Sequence, residues 1–187
     1  VPEGVELSAA QARPGDRVLL SGPIGEHGIA IMAKREGLEF EGDLASDSAA
    51  LHALVAAMLA ASRDIRCLRD PTRGGVSSTL NEIASQAGVG IEIDECAIPI
   101  REEVKGACEL LGLDPLYVAN EGKLIAIVAP DAEDAVLSAM RQHPLGRDAR
   151  IIGAVMAERP RMVTMRTVVG PSRIVDMLAG DQLPRIC

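Results

Sequence analysis

Short apolar runs alternate with amphipathic stretches along most of the chain, which is typical of strands that alternate with helices. The apolar runs predict strands over residues 17–20, 65–68, 91–93, 116–118, 124–128, 151–156 and 162–168. The amphipathic or Ala-rich stretches predict helices over residues 28–36, 47–62, 76–86, 100–111 and 131–142. Strands and helices mixed in this way indicate an α+β fold, in which a mixed β-sheet is flanked by helices.

Several residues mark the ends of these elements. Asp47 is expected to cap the second helix at its N-terminus. Gly88 and Gly112 are expected to end the third and fourth helices. The sequence from Asn120 to Lys123 lies between two predicted strands and is typical of a hairpin turn.

One domain accounts for most of the 187 residues. We expect residues 1–16 to be a linker leading into the domain, residues 17–176 to form the domain, and residues 177–187 to be a flexible C-terminal tail. The chain begins at Val1 without an initiator Met. We interpret this as a sign that something upstream has been removed.

Composition and charge exclude several classes of partner. Aliphatic residues must build the core, because hydrophobic residues make up 48% of the chain and aromatic residues only 1%. A net charge of −8 argues against a nucleic-acid surface, which needs clustered Lys and Arg. The longest apolar stretch, residues 51–61, is too short to span a membrane. We therefore expect neither nucleic acid nor membrane as a partner, and a cytoplasmic location.

The four cysteines are Cys67, Cys96, Cys108 and Cys187. They are too few and too scattered for a disulfide framework, and without a CxxC pair they predict no metal site. Cys187 ends the sequence DQLPRIC, where an exposed thiol is an oxidation liability. Two interpretations of Cys187 remain open. The cysteine stands at the terminus by chance, or the tail is a tether and the thiol is its reactive group.

The strongest candidate site is the motif DPTRGG at residues 70–75, between a predicted strand and a predicted helix. Its glycines allow close backbone approach, and the helix offers free N–H groups and a positive dipole end to an anion. The residues assigned to phosphate binding are Asp70, Thr72, Arg73, Gly74 and Gly75. Asp70 can instead hold a metal or orient Arg73, and the motif fits a helix-initiating turn with an Asp–Arg pair equally well.

Two further loops are weaker candidates. SGPIGEHG at residues 21–28 fits an anion site or a turn that needs glycine, and its Gly25, His27 and Gly28 are candidates for lining a cleft. Glu121, on a tight turn, is a candidate general base if partial burial raises its pKa. The alternative is a surface hairpin that carries a Glu–Lys ion pair.

Together these segments resemble a known family. DPTRGG followed by VSSTLNEIA, the earlier SGPIGEHG, the later ANEGK and the ending PRIC resemble the carbamoyl dehydratases of hydrogenase maturation. That family is a branch of the ATP-dependent AIR synthase-related superfamily. The resemblance covers essentially the whole chain, and PRIC is its most specific part. It implies the AIR synthase-related C-terminal fold, which is PurM C-terminal-like, together with a separate N-terminal domain for ATP and Mg²⁺.

The resemblance also implies a chemistry. Cys187 would receive a carbamoyl group from the carbamoyltransferase HypF, and ATP-dependent dehydration would convert it to thiocyanate. The cyano group would then pass to iron on a HypC–HypD scaffold. By its position in ANEGK, Glu121 would be the base, and Asn120 would orient the amide. The full-length protein would form a homodimer, and this chain alone would be inactive.

Two alternatives to this function remain open at the level of sequence. One is another enzyme of the superfamily, such as selenophosphate synthetase or thiamine-monophosphate kinase, which would share the fold and a similar glycine-rich loop. The other is a non-catalytic docking fragment.

Overall fold

A computed structural model of the chain describes residues 4–37 and 44–178. Its helices are α1 (Glu26–Glu36), α2 (His52–Ala61), α3 (Gly75–Ala87), α4 (Glu102–Leu111) and α5 (Glu133–Gln142). Its strands are β1 (Arg17–Leu20), β2 (Ile65–Arg69), β3 (Gly90–Asp94), β4 (Ile125–Val128), β5 (Arg150–Met156), β6 (Val163–Arg166) and β7 (Ser172–Ile174). The strands form one sheet in the order β2-β4-β1-β5-β3-β6-β7. Only the β3–β6 pair is parallel among these described strands, so the predicted mixed sheet is confirmed.

The central strands are apolar at successive positions because helices cover both faces of the sheet there. Val18 and Leu20 of β1 join the core that α3 completes, whereas Leu19 joins the core beneath α2 and α5. All three side chains are fully buried. Each such aliphatic side chain contributes roughly 1.5–3 kcal/mol on burial, so a core of this kind does not need aromatic residues.

A third and smaller core joins α1 to α4. Ile29 of α1 and Val104 of α4 pack there with Val118, which lies in the chain between α4 and β4. The predicted ends of α3 and α4 are confirmed, because Gly88 and Gly112 follow them in left-handed backbone conformations. No helix in the described part of the chain is long and apolar enough to cross a membrane.

The predicted cap at Asp47 is wrong. α2 begins five residues later than predicted, at His52, and no side chain caps its N-terminus. Asp47 Oδ1 instead accepts a hydrogen bond from the backbone N–H of Glu121 at 3.0 Å. The Asp47 side chain therefore makes a long-range hydrogen bond instead of the helix cap that local preference predicts.

The predicted strand at residues 116–118 is also wrong. A short 3-10 helix, Pro115–Tyr117, occupies this position, and the Asp114 side chain accepts a hydrogen bond from Leu116 N–H at its start. Pro115 has no N–H to give to a strand ladder, which disfavours a strand here. The sequence from Asn120 to Lys123 is consequently not a hairpin turn.

Two features near the ends of the domain were not predicted from the sequence. Ala9 and Ala12, in the predicted linker, are buried in the core beside α3. Ser8 N–H donates to the carbonyl of Arg66 in β2. β7 escaped prediction because it is short and largely exposed, so it carries no apolar pattern. Residues 8–12 therefore pack against the core, and the predicted boundaries stay predictions.

Candidate functional site

Three of the loops singled out in the sequence meet at one edge of the sheet. β1 and β2 both run antiparallel to β4, so the ends of β1 and β2 lie beside the start of β4. Leu20 and Arg69 both pair with Ile125, which places the loops 21–28, 70–75 and 119–123 next to one another. Sheet topology thus brings together segments that are far apart in the sequence.

Asn120 ties these three loops to each other. Its side chain is fully buried, and its Oδ1 accepts the backbone N–H of Gly25 at 2.8 Å. Its Nδ2 donates to the carbonyls of Pro71 and Val118, each at 3.0 Å. Its own backbone N–H also donates to the Pro71 carbonyl, at 3.1 Å. One amide side chain therefore fixes the spacing of all three loops.

These contacts bear on the role predicted for Asn120. The resemblance implied that Asn120 orients a substrate amide, yet both of its amide hydrogens are already donated to carbonyls of the chain. An amide buried with its hydrogen bonds satisfied would lose them by turning toward a ligand. The contacts of Asn120 hold the three loops together, and its predicted role toward a substrate amide stays untested.

The DPTRGG motif runs from the end of β2 into α3, as predicted. Asp70 and Arg73 are exposed, and Thr72 is partly buried. Gly75 has a φ of +61°, and a Cβ there would lie 2.5 Å from the Leu116 carbonyl oxygen. Gly75 is thus required by packing against the chain itself, which is a reason for this glycine independent of phosphate. The assignment of the motif to phosphate stays a prediction.

The loop 21–28 leads from β1 into α1. Gly25 and Gly28 are buried against residues 118–120, and Gly28 N–H donates to the Ala119 carbonyl at 3.1 Å. His27 Nδ1 lies 2.8 Å from Ser46 Oγ. Gly25 and Gly28 therefore pack against the segment that leads into Glu121. Their predicted role in lining a cleft stays untested.

Glu121 follows Asn120 at the sheet edge, and its side chain is exposed. The partial burial considered from the sequence is therefore not present in this chain. The alternative Glu–Lys ion pair is not formed either, because Lys123 Nζ contacts Glu26 at 2.9 Å and Asp47 at 3.1 Å. Glu121 thus presents a carboxylate to solvent from a loop whose backbone is held on both sides.

A cleft of about 420 Å³ opens beside these loops. Polar side chains in its wall include Glu26, Asp47, Arg101 and Lys123. Sequence reasoning gave none of these four residues a role in the site. Asp47 and Glu121 are 74 residues apart, and no local pattern signals such a contact.

The chain returns to this edge before its C-terminal tail. Ser77 Oγ donates to the Asp176 carbonyl at 2.5 Å, and Asn81 Nδ2 donates to the Val175 carbonyl at 2.8 Å. Leu178 lies beside Gly74 of the DPTRGG motif. Residues 175–178 are therefore anchored along the first turns of α3. Cys187 lies outside the described residues.

The described cysteines differ in exposure: Cys67 and Cys108 are buried, and Cys96 is exposed. Burial raises the pKa of the Cys67 thiol to about 11, with Arg69 opposing the shift. Burial also raises the pKa of the Cys108 thiol to about 11, and Asp114 adds to it. Near neutral pH both buried thiols are thus protonated, and a thiol in that state is a poor nucleophile.

We expect these two thiols to make folding stability fall above pH 9. The unfolded chain releases their protons near 9.0, whereas the folded chain holds them to about 11, so the stabilisation is complete below pH 9 and is lost as the pH rises through that window. Cys67→Ala should remove about 1 kcal/mol per pH unit from the slope of the unfolding free energy between pH 9 and 11. Urea unfolding at several pH values measures that slope. Cys96→Ala is the control, and equal slopes in both variants would contradict the prediction.

Within residues 4–37 and 44–178, no three His, Cys, Asp or Glu side chains cluster closely enough to hold a metal ion.

The fold and the loops define the class of protein. The chain belongs to the AIR synthase-related family: the family described as "AIR synthase related protein, C-terminal domain" matches residues 13–164. The superfamily and the PurM C-terminal-like α+β fold, both predicted from the sequence, are therefore confirmed.

Within that family the chain is similar to proteins named carbamoyl dehydratase HypE. It is 64% identical to the one from Azotobacter vinelandii over 187 residues, which cover 100% of this chain and 55% of the relative. It is 62% identical to the one from Cupriavidus necator over 187 residues, which cover 100% of this chain and 53% of the relative. The predicted resemblance is thus confirmed, and the chain spans about half the length of the curated relatives it matches.

The chain is also similar to solved structures of HypE proteins. A crystal structure of the hydrogenase maturation protein HypE matches with a TM-score of 0.95 and 45% identity, covering 100% of this chain and 60% of that one. HypE in complex with HypF matches with a TM-score of 0.91 and 46% identity, covering 95% and 58%. HypE in complex with ATP matches with a TM-score of 0.91 and 47% identity, covering 97% and 55%.

Proposed function

We propose that this chain is the C-terminal part of an ATP-dependent carbamoyl dehydratase that makes cyanide ligands for [NiFe]-hydrogenase. The observation that carries the proposal is the meeting of the loops 21–28, 70–75 and 119–123 at one sheet edge, with the Glu121 carboxylate exposed beside them. Relatives at 62–64% identity that are named carbamoyl dehydratase support it. The ATP and HypF complexes of similar proteins support the cofactor and the first partner.

The proposed reaction starts from a carbamoyl group on the sulfur of Cys187, S–C(=O)–NH₂. An amide oxygen is a poor leaving group, so it must first be activated. That oxygen attacks the γ-phosphorus of ATP and displaces ADP, while the nitrogen gives up one proton, and an O-phosphorylated imidate results. A base then removes the second nitrogen proton as the C–O bond breaks, which leaves S–C≡N and phosphate. The amide oxygen thus leaves as part of the phosphate.

Glu121 is the proposed base, since it is an exposed carboxylate on the loop that Asn120 fixes against the DPTRGG motif. Asn120 acts by positioning that loop. The residues proposed to contact the phosphates are Asp70, Thr72, Arg73, Gly74 and Gly75. Mg²⁺ would accompany ATP, bound mostly by the remaining part of the full-length protein.

The tail delivers the substrate in this proposal. Leu178 lies beside Gly74, and the nine residues 179–187 follow it. Nine extended residues span at most roughly 30 Å at ~3.3 Å per residue, so Cys187 can reach the three loops and also extend away from them. A tethered thiol with that reach suits a group that is loaded at one site and dehydrated at another.

The proposed partners follow the same sequence of steps. HypF supplies the carbamoyl group, a HypC–HypD scaffold accepts the cyano group, and the full-length protein pairs with a second copy in the cytoplasm.

The test uses a protein of the relatives' full length, incubated with a HypF-type carbamoyltransferase, carbamoyl phosphate, ATP and Mg²⁺. Intact mass should rise by about 43 Da for the carbamoyl form and then settle at about 25 Da above the starting mass for the cyano form. A mass that never changes, with a carbamoyltransferase shown to be active, contradicts the proposal. The 187-residue chain alone should not hydrolyse ATP, and measurable turnover by the purified chain would overturn that part.

A further inference from the structure

Residues 44–50 form a strap that lies across the loop carrying Glu121. Asp47, at the middle of the strap, accepts the backbone N–H of Glu121 on its Oδ1 at 3.0 Å. The next residue, Gly122, touches the strap directly: a Cβ there would lie 1.6 Å from the Asp47 carbonyl oxygen. The strap therefore holds Glu121 and the residue after it through both the side chain and the backbone of Asp47.

Asp47 is itself held by a row of alternating charges. Lys123 Nζ lies 3.1 Å from Asp47 Oδ2, in an ion pair without directed hydrogen-bond geometry. The same Nζ donates to Glu26 Oε2 at 2.9 Å, and Arg101 Nε lies 2.8 Å from Glu26 Oε1. The side chains of Asp47, Lys123 and Glu26 are only 2%, 11% and 10% exposed.

Burial gives this row its rigidity. A charge that has lost its water is stable only while its partners stay in place, so displacement of one member leaves another uncompensated. Glu26 belongs to α1, and Lys123 immediately precedes Leu124 and β4, so the row links the strap to two regular elements. Asp47 is thus fixed with respect to the sheet, and Glu121 is fixed with respect to Asp47.

We propose that Asp47 is a positioning residue for the reaction, acting through the backbone of Glu121. This rests on the proposed function, in which Glu121 is the base. The Glu121 side chain is exposed, so the region its carboxylate can reach depends on where its backbone is held. Displacement of a reacting group by about 1 Å is enough to cost on the order of 10²-fold in rate. Asp47 therefore sets how well Glu121 meets the nitrogen proton.

The test is Asp47→Ala in a protein of the relatives' full length whose tail has already been carbamoylated. The single-turnover rate of dehydration should fall about 10–100-fold, while the Kd for ATP changes by less than about 2-fold, since a positioning effect is confined to the reaction step. Ser48→Ala is the matched control, because Ser48 is an exposed residue of the same strap. An unchanged rate in Asp47→Ala overturns the proposal, as does a loss shared by Ser48→Ala.

A double-mutant cycle separates this inference from the proposed function. In a Glu121→Gln background, Asp47→Ala should cost less than about 3-fold more, because a residue that acts only through Glu121 has nothing left to position. One outcome is that Glu121→Gln is slow and the rate loss of the double variant equals the product of the two single losses. In that case Asp47 does not act through Glu121, and only this inference fails. If Glu121→Gln dehydrates normally, the proposed base fails, and this inference fails with it.

Asp47→Asn keeps the experiment decisive if Asp47→Ala does not fold. The amide retains an oxygen that accepts from Glu121 N–H but loses the charge opposite Lys123. We expect a loss of about 3–10-fold in the dehydration rate, again absent from the Glu121→Gln background. If Asp47→Asn slows dehydration by the same factor in the Glu121→Gln background as in the unchanged protein, Asp47 does not act through Glu121 and the inference fails.

Discussion

Glu121→Gln, in a protein of the relatives' full length, is expected to bind ATP normally and to dehydrate its carbamoylated tail about 10²–10⁴-fold more slowly. The amide keeps the shape of the carboxylate and its hydrogen-bonding oxygen but cannot take up a proton near neutral pH. The backbone N–H that Glu121 donates to Asp47 does not involve the side chain, so the loop should stay in place. Single-turnover mass spectrometry of the carbamoylated tail measures the rate, and calorimetric titration measures the affinity for ATP.

The matched control for this variant is Glu109→Gln, which makes the same change at an exposed position on α4. Its rate should equal that of the unchanged protein. Near-normal cyanation by Glu121→Gln would remove Glu121 from its role as the base. A loss of ATP affinity equal to the loss of rate would show that Glu121 contributes to binding rather than to proton transfer.

Local sequence signals predicted those parts of the fold that local interactions determine. The run Val18-Leu19-Leu20 is apolar at successive positions because both faces of β1 are covered, and the apolar run alone identified it as a strand. Gly88 and Gly112 end their helices through a backbone conformation that glycine adopts easily. In such cases the residue and its structural effect lie within a few positions of each other, so a sequence window contains all the information needed.

Contacts between distant segments could not be predicted in the same way. Asp47 has the chemistry of a helix cap, and that chemistry is equally suited to accepting the N–H of Glu121. The choice between the two depends on where residues 44–50 lie against the loop 119–123, which no local sequence window contains. The motif that contains Asn120 was recognised from the sequence, but its buried hydrogen bonds to Pro71 and Gly25 were not.

The glycines of the candidate site illustrate the same limit. A glycine-rich loop before a helix indicates an anion site, because it allows close backbone approach. At Gly75 the close neighbour is the Leu116 carbonyl of the chain itself. The pattern therefore correctly predicted close approach at this point of the fold, but it did not determine what approaches.

Cys187→Ala is expected to abolish carbamoyl acceptance completely while leaving the fold unchanged. A methyl group has no electron pair with which to attack the carbamoyl donor, so no activity should remain from that position. The buried thiols cannot replace it, because burial raises the pKa of Cys67 and of Cys108 to about 11 and both lie out of contact with solvent. Tandem mass spectrometry of the C-terminal peptide measures the modification, as an added mass of about 43 Da for the carbamoyl form.

Cys96→Ala is the decisive comparison for that variant, since Cys96 is the exposed thiol among the described cysteines. It lies in the short 3-10 helix Glu95–Ala97, which follows β3, so its attachment to the fold differs from that of the tail. If Cys187 is the acceptor, Cys96→Ala should be carbamoylated and cyanated at the unchanged rate, whereas Cys187→Ala should acquire neither group. Carbamoylation that persists in Cys187→Ala and disappears when Cys96 is also replaced would transfer the acceptor role to Cys96. The tail would then have no part in the chemistry, and the anchoring of Val175 and Asp176 by Ser77 and Asn81 would serve only the packing of α3.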